Sequence, residues 1–413
     1  MIKNLFRESK EYIFTYLLII FLPLFIVTSS LLMNLNVILI SLFFIFISIK
    51  EKNFEIIKNK FFILTVIFFL FLLINLYNSI EISNSLNRTL GFSRFILLSF
   101  ALAYFISFKN FKHSKVIFLS WSIIFIFVSI DLLVEFIFGR NIFGFSNQFP
   151  GRLSGLLNDE LKIGGYYFGF ILITTSSIFY FYKKKLGIVF LIFFLIIALL
   201  IGERSNFIKM VFSISLFLIF IDILSKKLKI LLSILLITSS FLIMVSNTEI
   251  KNRFKNQFIS YIFENGVEHY YYNSVYGAHY NSAFQIIAKY PSFGVGLKNF
   301  PLECQKKDYI SEDFLYHSAR CSTHPHQLHL DILTSLGFVG YILLMFSILY
   351  LILKNCLIFF KQKNLFTLSG TIFLISTLIM PIPSGSFFTS YGATIFWINI
   401  GILLAYEKYV YKN

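Results

Sequence analysis

The strongest constraint in this sequence is a series of apolar segments that are separated by short polar connections. Each segment has about 20 residues, the length at which an α-helix spans the hydrocarbon core of a bilayer. A helix also satisfies its own backbone hydrogen bonds where no water is present. Only 14% of the residues are charged, below the roughly 25% that is usual in soluble proteins. The chain is therefore predicted to be an all-α polytopic membrane protein.

Twelve segments have the length and hydropathy of transmembrane helices. They lie near residues 13–31, 32–49, 61–76, 92–108, 116–138, 164–182, 186–202, 206–225, 228–246, 328–353, 364–382 and 391–408. No cleavable signal peptide is evident, because the first segment is long enough to span and lacks a small-residue cleavage site.

The distribution of lysine and arginine indicates the orientation. If the N-terminus is cytoplasmic, the inner connections contain 21 of these residues and the short outer connections contain five. This asymmetry satisfies the positive-inside rule and predicts that both termini are cytoplasmic. The formal net charge of +16 is then a topology signal. Nucleic-acid binding is not needed to explain it, because the basic residues lie in short loops around the inner face.

One outer connection is too long to be a simple loop. It is rich in tyrosine and contains a glycine-rich turn, and a structureless segment of that length would be unusual in a compact domain. A helical cap is therefore predicted at 247–327, between helices nine and ten. The cap divides the chain into helices one to nine (1–246, with a second outer loop at 139–163) and helices ten to twelve (328–413).

Two of the three cysteines, Cys304 and Cys321, lie in the predicted cap, and Cys356 lies at the inner end of helix ten. Disulfides persist in an oxidising compartment such as the bacterial periplasm and are rare in the cytosol. A disulfide between Cys304 and Cys321 is therefore predicted, with two free thiols as the alternative.

Three histidines precede the apolar segment of helix ten. Proline is favoured at the first helical position, so Pro325 predicts His324 as the N-cap and His326 within the first turn. The unpaired N–H groups and the dipole of a helix N-terminus disfavour a protonated imidazole, which leaves a neutral His326 suited to accept a proton. His329 lies three residues further on, near the same face.

Two glycines, Gly337 and Gly340, lie deeper in the same segment. Small residues at such positions let another helix approach closely. The stretch is thus predicted to place a reactive histidine at the start of a tightly packed helix.

The spacing of these residues resembles a family signature. His326-Gln327, nine residues and then Gly337-Phe-Val-Gly340 is similar to the motif of the O-antigen ligase family, which is related to the Wzy-type O-antigen polymerases. Three further stretches fit in order: GRLSGLLNDELKIGGYY, GERSNF and GVGLKNF. The family commonly has a His/Asp-Pro-Asn run after the first arginine's Ser-Gly, where this chain has NDELK.

The resemblance implies the transfer of a glycan from an undecaprenyl-pyrophosphate carrier to an acceptor hydroxyl at the periplasmic face of the bacterial inner membrane. O-antigen ligation to the lipid A-core oligosaccharide is the favoured reaction. The implied partners are the lipid-linked donor, the lipid A-core or glycan acceptor and membrane lipids, with no nucleic acid. The resemblance implies neither a metal ion nor any other cofactor.

The resemblance also assigns roles to residues. His326 is implied as the base or acceptor-positioning group, supported by His324, Gln327 and His329. Arg152 and Arg204 match the family's two arginines and fall outside in the topology predicted from charge. Their planar guanidinium groups suit a pyrophosphate, because they pair bidentately with phosphate oxygens and keep their charge.

Other functions remain open at this point. A Wzy-type polymerase or a protein O-oligosaccharyltransferase would share the base and the arginines and differ in acceptor. A lipid-linked oligosaccharide flippase would carry ionisable residues deep within its helices and short loops on both faces. The polar residues of this chain are instead concentrated in one outer cap.

The individual residues also have purely structural interpretations. Arg204 can extend to the lipid–water interface or pair with Glu203, and Arg152 can be a solvated charge. His326 can be a helix cap.

Two further binding sites are possible. The three histidines together can bind zinc. Arg88 and Arg94, near the outer end of helix four, can hold glycan or lipid phosphate.

Overall fold

The computed structural model of the chain describes residues 9–107, 111–146, 149–158, 160–246, 248–252, 254, 261–380 and 382–407. The regular secondary structure of these residues is helical throughout.

Twelve long helices of the described residues occupy the twelve predicted segments, and two more belong to the cap. The first nine are α1 (Lys10–Thr28), α2 (Ser30–Lys50), α3 (Lys60–Asn75), α4 (Ile82–Ser107), α5 (Phe111–Phe138), α6 (Ile163–Phe181), α7 (Lys184–Leu200), α8 (Arg204–Phe220) and α9 (Lys226–Ser246). The cap contains α10 (Tyr261–Tyr272) and α11 (Val275–Lys289), and the last three are α12 (Leu328–Gln362), α13 (Leu365–Thr377) and α14 (Ser390–Glu407). Short α-helical turns lie at Thr248–Lys251 and Phe300–Glu303.

Seven of the described helical segments are long and apolar enough to cross a membrane. They are α1, α2, α3 with its extension to Asn78, α4, α5, α6 and α12. The remaining predicted segments coincide with α7, α8, α9, α13 and α14. The prediction of an all-α polytopic membrane protein is confirmed.

The longest helix, α12, is broken near its N-terminal end. Gly337 has φ +63° and ψ −171°, so the helix consists of a short segment, 328–336, and a long segment, 338–362. The sequence predicted one continuous span at 328–353, because glycine at a single position does not by itself reveal a break. The apolar length that can cross the membrane is supplied by the second segment, which begins about ten residues later.

The centre of the bundle is α6, whose apolar window is 89% buried inside the protein and is therefore shielded from lipid. Its glycines let two helices approach. A side chain at Gly169 would overlap Ile395 of α14, and the Asn399 side chain donates to the Gly169 carbonyl at 3.1 Å. One turn earlier, the Gly164 N–H donates to Glu203, just before α8, at 3.1 Å. The N-terminal parts of α6, α8 and α14 consequently lie together.

The cap has a small apolar core of its own. Ala283 and Ile286 of α11 pack with Val295, Phe300 and Leu330, so the core includes the first segment of α12. Cys304 and Cys321 are joined by a disulfide at the edge of this core, with their Cα atoms 5.5 Å apart. The disulfide closes a loop within the cap, and Leu330 joins the core of the cap to α12.

Candidate active site

The histidine segment, His324–His329, enters α12 in a different conformation from the predicted one. α12 begins at Leu328 and its N-cap is Gln327, whose side-chain oxygen accepts from the Leu330 N–H at 2.7 Å. The predictions that His324 is the N-cap and that His326 lies in the first turn are wrong. The physical reason is that His326 has φ +56°, a left-handed conformation that turns the chain before the helix starts.

The α13–α14 loop (378–380 and 382–389) holds this turn in place. The Ser384 N–H donates to the His326 carbonyl at 2.9 Å. The Gln327 side-chain amide donates to the Met380 carbonyl at 2.6 Å. A left-handed non-glycine residue costs about 1–3 kcal/mol and persists only where its surroundings fix it. These two hydrogen bonds are such surroundings, and they could not be predicted from the sequence.

Asp331 also attaches the α13–α14 loop to the start of α12. Its buried carboxylate accepts from the Ser386 hydroxyl at 2.8 Å and from the Phe387 N–H at 2.9 Å. Because a buried carboxylate needs such donors, Asp331 anchors the far side of the α13–α14 loop to the first segment of α12.

His324 and His326 form a cluster with a third histidine, His279 of α11. The ring centroids of His324 and His326 lie 4.2 Å apart, and those of His279 and His326 lie 5.2 Å apart. The edge of the Tyr276 ring completes the group, with its centroid 5.9 Å from that of His326. The sequence analysis missed His279, which is separated from the motif by most of the cap. The available signal was a histidine among the buried residues of an amphipathic helix.

Hydrogen bonding fixes the tautomer of His279. Its Nδ1 lies 3.0 Å from the Arg320 carbonyl oxygen. A carbonyl oxygen can only accept, so Nδ1 carries the proton and Nε2 is left as an acceptor. Arg320 itself is anchored in the cap, where its guanidinium donates to the Gln305 carbonyl at 3.0 Å. Arg320 therefore orients His279, next to the Cys304–Cys321 disulfide.

The cluster is electrically neutral at neutral pH. Burial, together with the neighbouring His324 and His279 rings, lowers the pKa of His326 to about 4. Burial also lowers the pKa of His324 to about 4 and lowers the pKa of His279. Each of these rings can therefore present an unprotonated nitrogen where an ordinary histidine would be partly protonated.

His329 has a different role from the other two histidines of the segment. Its Nε2 bonds to the Leu378 carbonyl at 3.0 Å and its Nδ1 to the Tyr341 hydroxyl at 2.9 Å. Twelve residues separate His329 from Tyr341, about 18 Å along a straight helix. The break at Gly337 brings them into contact, so His329 ties the two segments of α12 to the α13–α14 loop. The zinc alternative needs all three histidines together, and the His329 ring is directed elsewhere.

Gly337 and Gly340 both allow close approach of another element. A side chain at Gly340 would overlap the Phe71 ring of α3, in agreement with the expected helix packing. At Gly337 the neighbour is instead the turn that follows α11, because a side chain there would overlap the Ser292 carbonyl. The Phe338 N–H donates to the Pro291 carbonyl at 2.7 Å.

The same turn also satisfies the carbonyls that the helix break exposes. Thr334 accepts from the Val295 N–H at 2.8 Å, and Ser335 accepts from the Gly296 N–H at 3.0 Å. The GVGLKNF stretch and the Gly-x-x-Gly stretch, which are distant in sequence, therefore form one structural unit.

Arg152 and Arg204 are brought to one place. The loop before α6 packs on the turn before α8 so closely that a side chain at Gly202 would overlap the Gly151 carbonyl. The Arg152 guanidinium lies 3.4 Å from the Glu203 carboxylate, and Arg204 is the first residue of α8. We call Arg152, Glu203 and Arg204 the arginine turn.

A carboxylate that sequence analysis overlooked positions Arg152. Glu135, buried at the C-terminal end of α5, accepts from the Gly155 N–H at 2.7 Å and from the Ser154 N–H at 3.2 Å. One turn earlier, Asp131 accepts from the Ile142 N–H at 3.0 Å. The sequence signal that could have identified them is the presence of two carboxylates four residues apart in an apolar helix, since such residues are rare there unless they are functional or paired.

The α13–α14 loop connects the histidines with the arginine turn. It begins at Leu378, which bonds to His329, and leads to Tyr391, whose hydroxyl donates to the Lys162 carbonyl at 2.8 Å near the start of α6. Arg94 of α4 supports the loop's end by donating to the Ser390 hydroxyl at 3.1 Å. Arg94 therefore has a structural partner at the end of this loop.

Comparison with known proteins identifies the region. Residues 188–345 match a family model described as O-antigen ligase. The match contains Arg204, the cap and the histidine segment, and Arg152 lies before it. No curated protein matches the chain. Members of the family transfer glycans, so the chain is assigned an enzymatic activity of glycosyl transfer. The resemblance seen in the motifs is confirmed: residues 188–345 of this chain are similar to the O-antigen ligase family.

Proposed function

We propose that this protein transfers a glycan from an undecaprenyl-pyrophosphate carrier to an acceptor hydroxyl at the periplasmic face of the bacterial inner membrane. The proposed reaction is O-antigen ligation to the lipid A-core oligosaccharide. The observation that carries the proposal is the arrangement of a neutral, conformationally fixed His326 and the arginine turn, which one loop connects. The excess of basic residues in the inner connections supports the outward placement of both.

The chemistry requires one proton transfer and one displacement. A neutral His326 nitrogen accepts the proton of the acceptor hydroxyl as that oxygen attacks the anomeric carbon of the donor. The bond from this carbon to the pyrophosphate oxygen breaks, and its electron pair leaves with the pyrophosphate. Arg152 and Arg204 stabilise the charge that develops there. Direct displacement inverts the anomeric configuration.

A histidine with a pKa near 4 is a weak base in the empty site. A bound pyrophosphate changes this, because nearby negative charge favours the protonated form of an imidazole. The donor therefore raises the basicity of His326 only when the substrate is in place.

Transfer by the purified protein tests the proposal. The assay contains the lipid-linked glycan and the lipid A-core acceptor, and EDTA is added because no metal ion enters the proposed chemistry. His326→Ala should lower turnover by about 10²–10⁴-fold, the usual effect of removing a general base. His269→Ala, on the exposed surface of α10, is the matched control. Full activity of His326→Ala, or loss of wild-type activity in EDTA, would contradict the mechanism.

A deletion strain distinguishes the possible acceptors. Loss of a ligase leaves polymerised glycan on its carrier lipid, and this is the expected result. Loss of a Wzy-type polymerase instead leaves single repeat units on the lipid A-core. Loss of a protein O-oligosaccharyltransferase removes glycan from protein alone. A flippase would give no transfer in the purified assay.

A further inference from the structure

Lys209 is a buried cation in the outer part of α8. Its side chain is only 4% exposed, and its ammonium lies 5.9 Å from the centre of the Phe168 ring. Within the part of the chain that the structure describes, no carboxylate forms an ion pair with this ammonium. An ionisable residue inside a membrane-spanning bundle is costly and marks the path or site of a charged ligand. Lys209 has no part in the mechanism above.

On one side Lys209 adjoins the arginine turn. Gly164 of α6 contacts Glu203, and Phe168 of α6 contacts Lys209. Gly164 and Phe168 are four residues apart and therefore lie on the same face of α6, about one helical turn apart. The Lys209 ammonium is consequently about one turn further into the bundle than the arginine turn.

On its other side Lys209 faces the histidine segment. Lys209 lies one turn before Ser213 of α8, and the Leu378 carbonyl that bonds to His329 follows two residues after Ser376 of α13. The Ser213 hydroxyl, one turn further along α8, donates to the Ser376 hydroxyl of α13 at 2.7 Å. These contacts place Lys209 between the arginine turn and the residues that support His326.

The charge of the proposed donor exceeds what the two arginines supply. A pyrophosphate diester carries two negative charges and gains another when the glycan departs. Arg152 shares its positive charge with Glu203 at 3.4 Å, so the arginine turn provides less than two full positive charges. A third cation next to the turn would balance the pyrophosphate in a site from which water is excluded.

We propose that the Lys209 ammonium is a third phosphate-binding cation, which makes the site select carriers with a pyrophosphate over carriers with a single phosphate. This inference rests on the proposed function, since it concerns the donor of the same reaction. Lys209 contacts the phosphate that is farther from the arginine turn. A monophosphate engages the arginine turn alone and gains little from Lys209.

Equilibrium binding to the full-length protein in nanodiscs tests this, with farnesyl pyrophosphate and farnesyl monophosphate as probes. Lys209→Met keeps the length of the side chain and removes its charge. It should weaken farnesyl pyrophosphate binding by about tenfold or more and change farnesyl monophosphate binding by less than about threefold. Lys209→Arg should retain the preference for pyrophosphate. Lys58→Met, which removes an exposed lysine of the connection at 50–60, should leave both affinities unchanged.

The outcomes separate the two levels of the proposal. If the wild type prefers pyrophosphate and Lys209→Met keeps that preference, the role of Lys209 is overturned and the proposed function stands. If the wild type binds both probes equally, the inference is overturned, and the transfer assay described above still decides the proposed function. Thermal unfolding reports whether Lys209→Met is folded. If it is not, Lys209→Gln is compared with Lys209→Arg, and an equal preference for pyrophosphate in the two overturns the inference.

Discussion

The Ser384 N–H donates a hydrogen bond to the His326 carbonyl oxygen across 2.9 Å. His326 has the left-handed φ of +56°, and its carbonyl direction differs from that of a residue entering a regular helix. The α13–α14 loop supplies the donor that this direction requires. The conformation of His326, the proposed base, thus depends on the α13–α14 loop, which is distant from it in sequence.

This hydrogen bond predicts different results for two substitutions of one residue. Ser384→Pro removes the N–H and should lower turnover by about tenfold or more, because His326 loses the contact that fixes it. Ser384→Ala keeps the N–H and should retain near-normal turnover. Initial rates of transfer and the thermal unfolding midpoint are measured for both. Equal rates for the two variants, both folded, would show that the loop does not control His326.

The pH dependence of transfer follows from the buried histidine cluster. The base acts when neutral, and burial lowers the pKa of His326 to about 4. In the free enzyme, kcat/KM should therefore stay constant from neutral pH to about pH 5 and fall as the pH drops through about 4. The acidic limb of kcat should lie at higher pH, because the bound pyrophosphate raises the pKa of the imidazole.

Stability must be followed in the same range. In the unfolded chain the histidines titrate near their ordinary pKa of about 6.5. The unfolded state therefore binds more protons than the folded state below that pH, and the free energy of unfolding should decrease as the pH falls from about 6.5 to about 4. A kcat/KM limb near pH 6.5 in fully folded protein would contradict the assignment.

Replacing His279 tests its action through His326. His279→Ala removes a neighbouring ring and admits water, so turnover should fall by about tenfold and the pKa of His326 should rise toward its ordinary value. The acidic limb of kcat/KM should move to higher pH accordingly. An unchanged pH profile together with lower turnover would indicate a merely structural role. His269→Ala serves again as the control.

The two arginines are tested by substitutions that keep their charge. Arg152→Lys and Arg204→Lys lose the bidentate guanidinium, so each should lower kcat/KM for the lipid-linked donor by about tenfold or more. Arg140→Lys, at an exposed position of the outer loop, should retain the wild-type value. Near-normal kcat/KM in both site variants would mean that the pyrophosphate binds elsewhere.

The disulfide contributes to the stability of the cap. Peptide mapping of non-reduced protein should recover Cys304 linked to Cys321. Replacing both by alanine should lower the free energy of unfolding by about 3 kcal/mol on the chain-entropy model for this loop. Turnover should fall as well, because Arg320, which orients His279, adjoins Cys321. Recovery of both residues as free thiols from protein made in an oxidising compartment would contradict the pairing.

Much of the architecture depends on local properties of the sequence and could therefore be predicted. The apolar length of a span and the position of a lysine at its inner end are properties of a continuous stretch of sequence. The helical segments and the all-α class follow from them. The residues of the site, His326, Arg152 and Arg204, were found through motif spacing, which is also local.

The conformation of those residues could not be predicted in the same way. Pro325 correctly suggested a helix start nearby, yet the left-handed His326 and the N-cap at Gln327 depend on hydrogen bonds to Ser384 and Met380. A cap and a positive φ are decided by which distant donors and acceptors are available, and the sequence does not state their positions.

The tertiary structure alone also decided which residues share the site. His279 joins the histidines because α11 folds over them, and Glu135 supports Arg152 because its carboxylate must find donors once it is buried. Lys209 lies between the arginine turn and the residues that support His326, because Gly164 lets the start of α8 pack closely against α6. Hydropathy is a property of each residue and can be read along the sequence. Which polar groups form hydrogen bonds or ion pairs depends on packing, because a buried polar group requires a partner that only the folded chain provides.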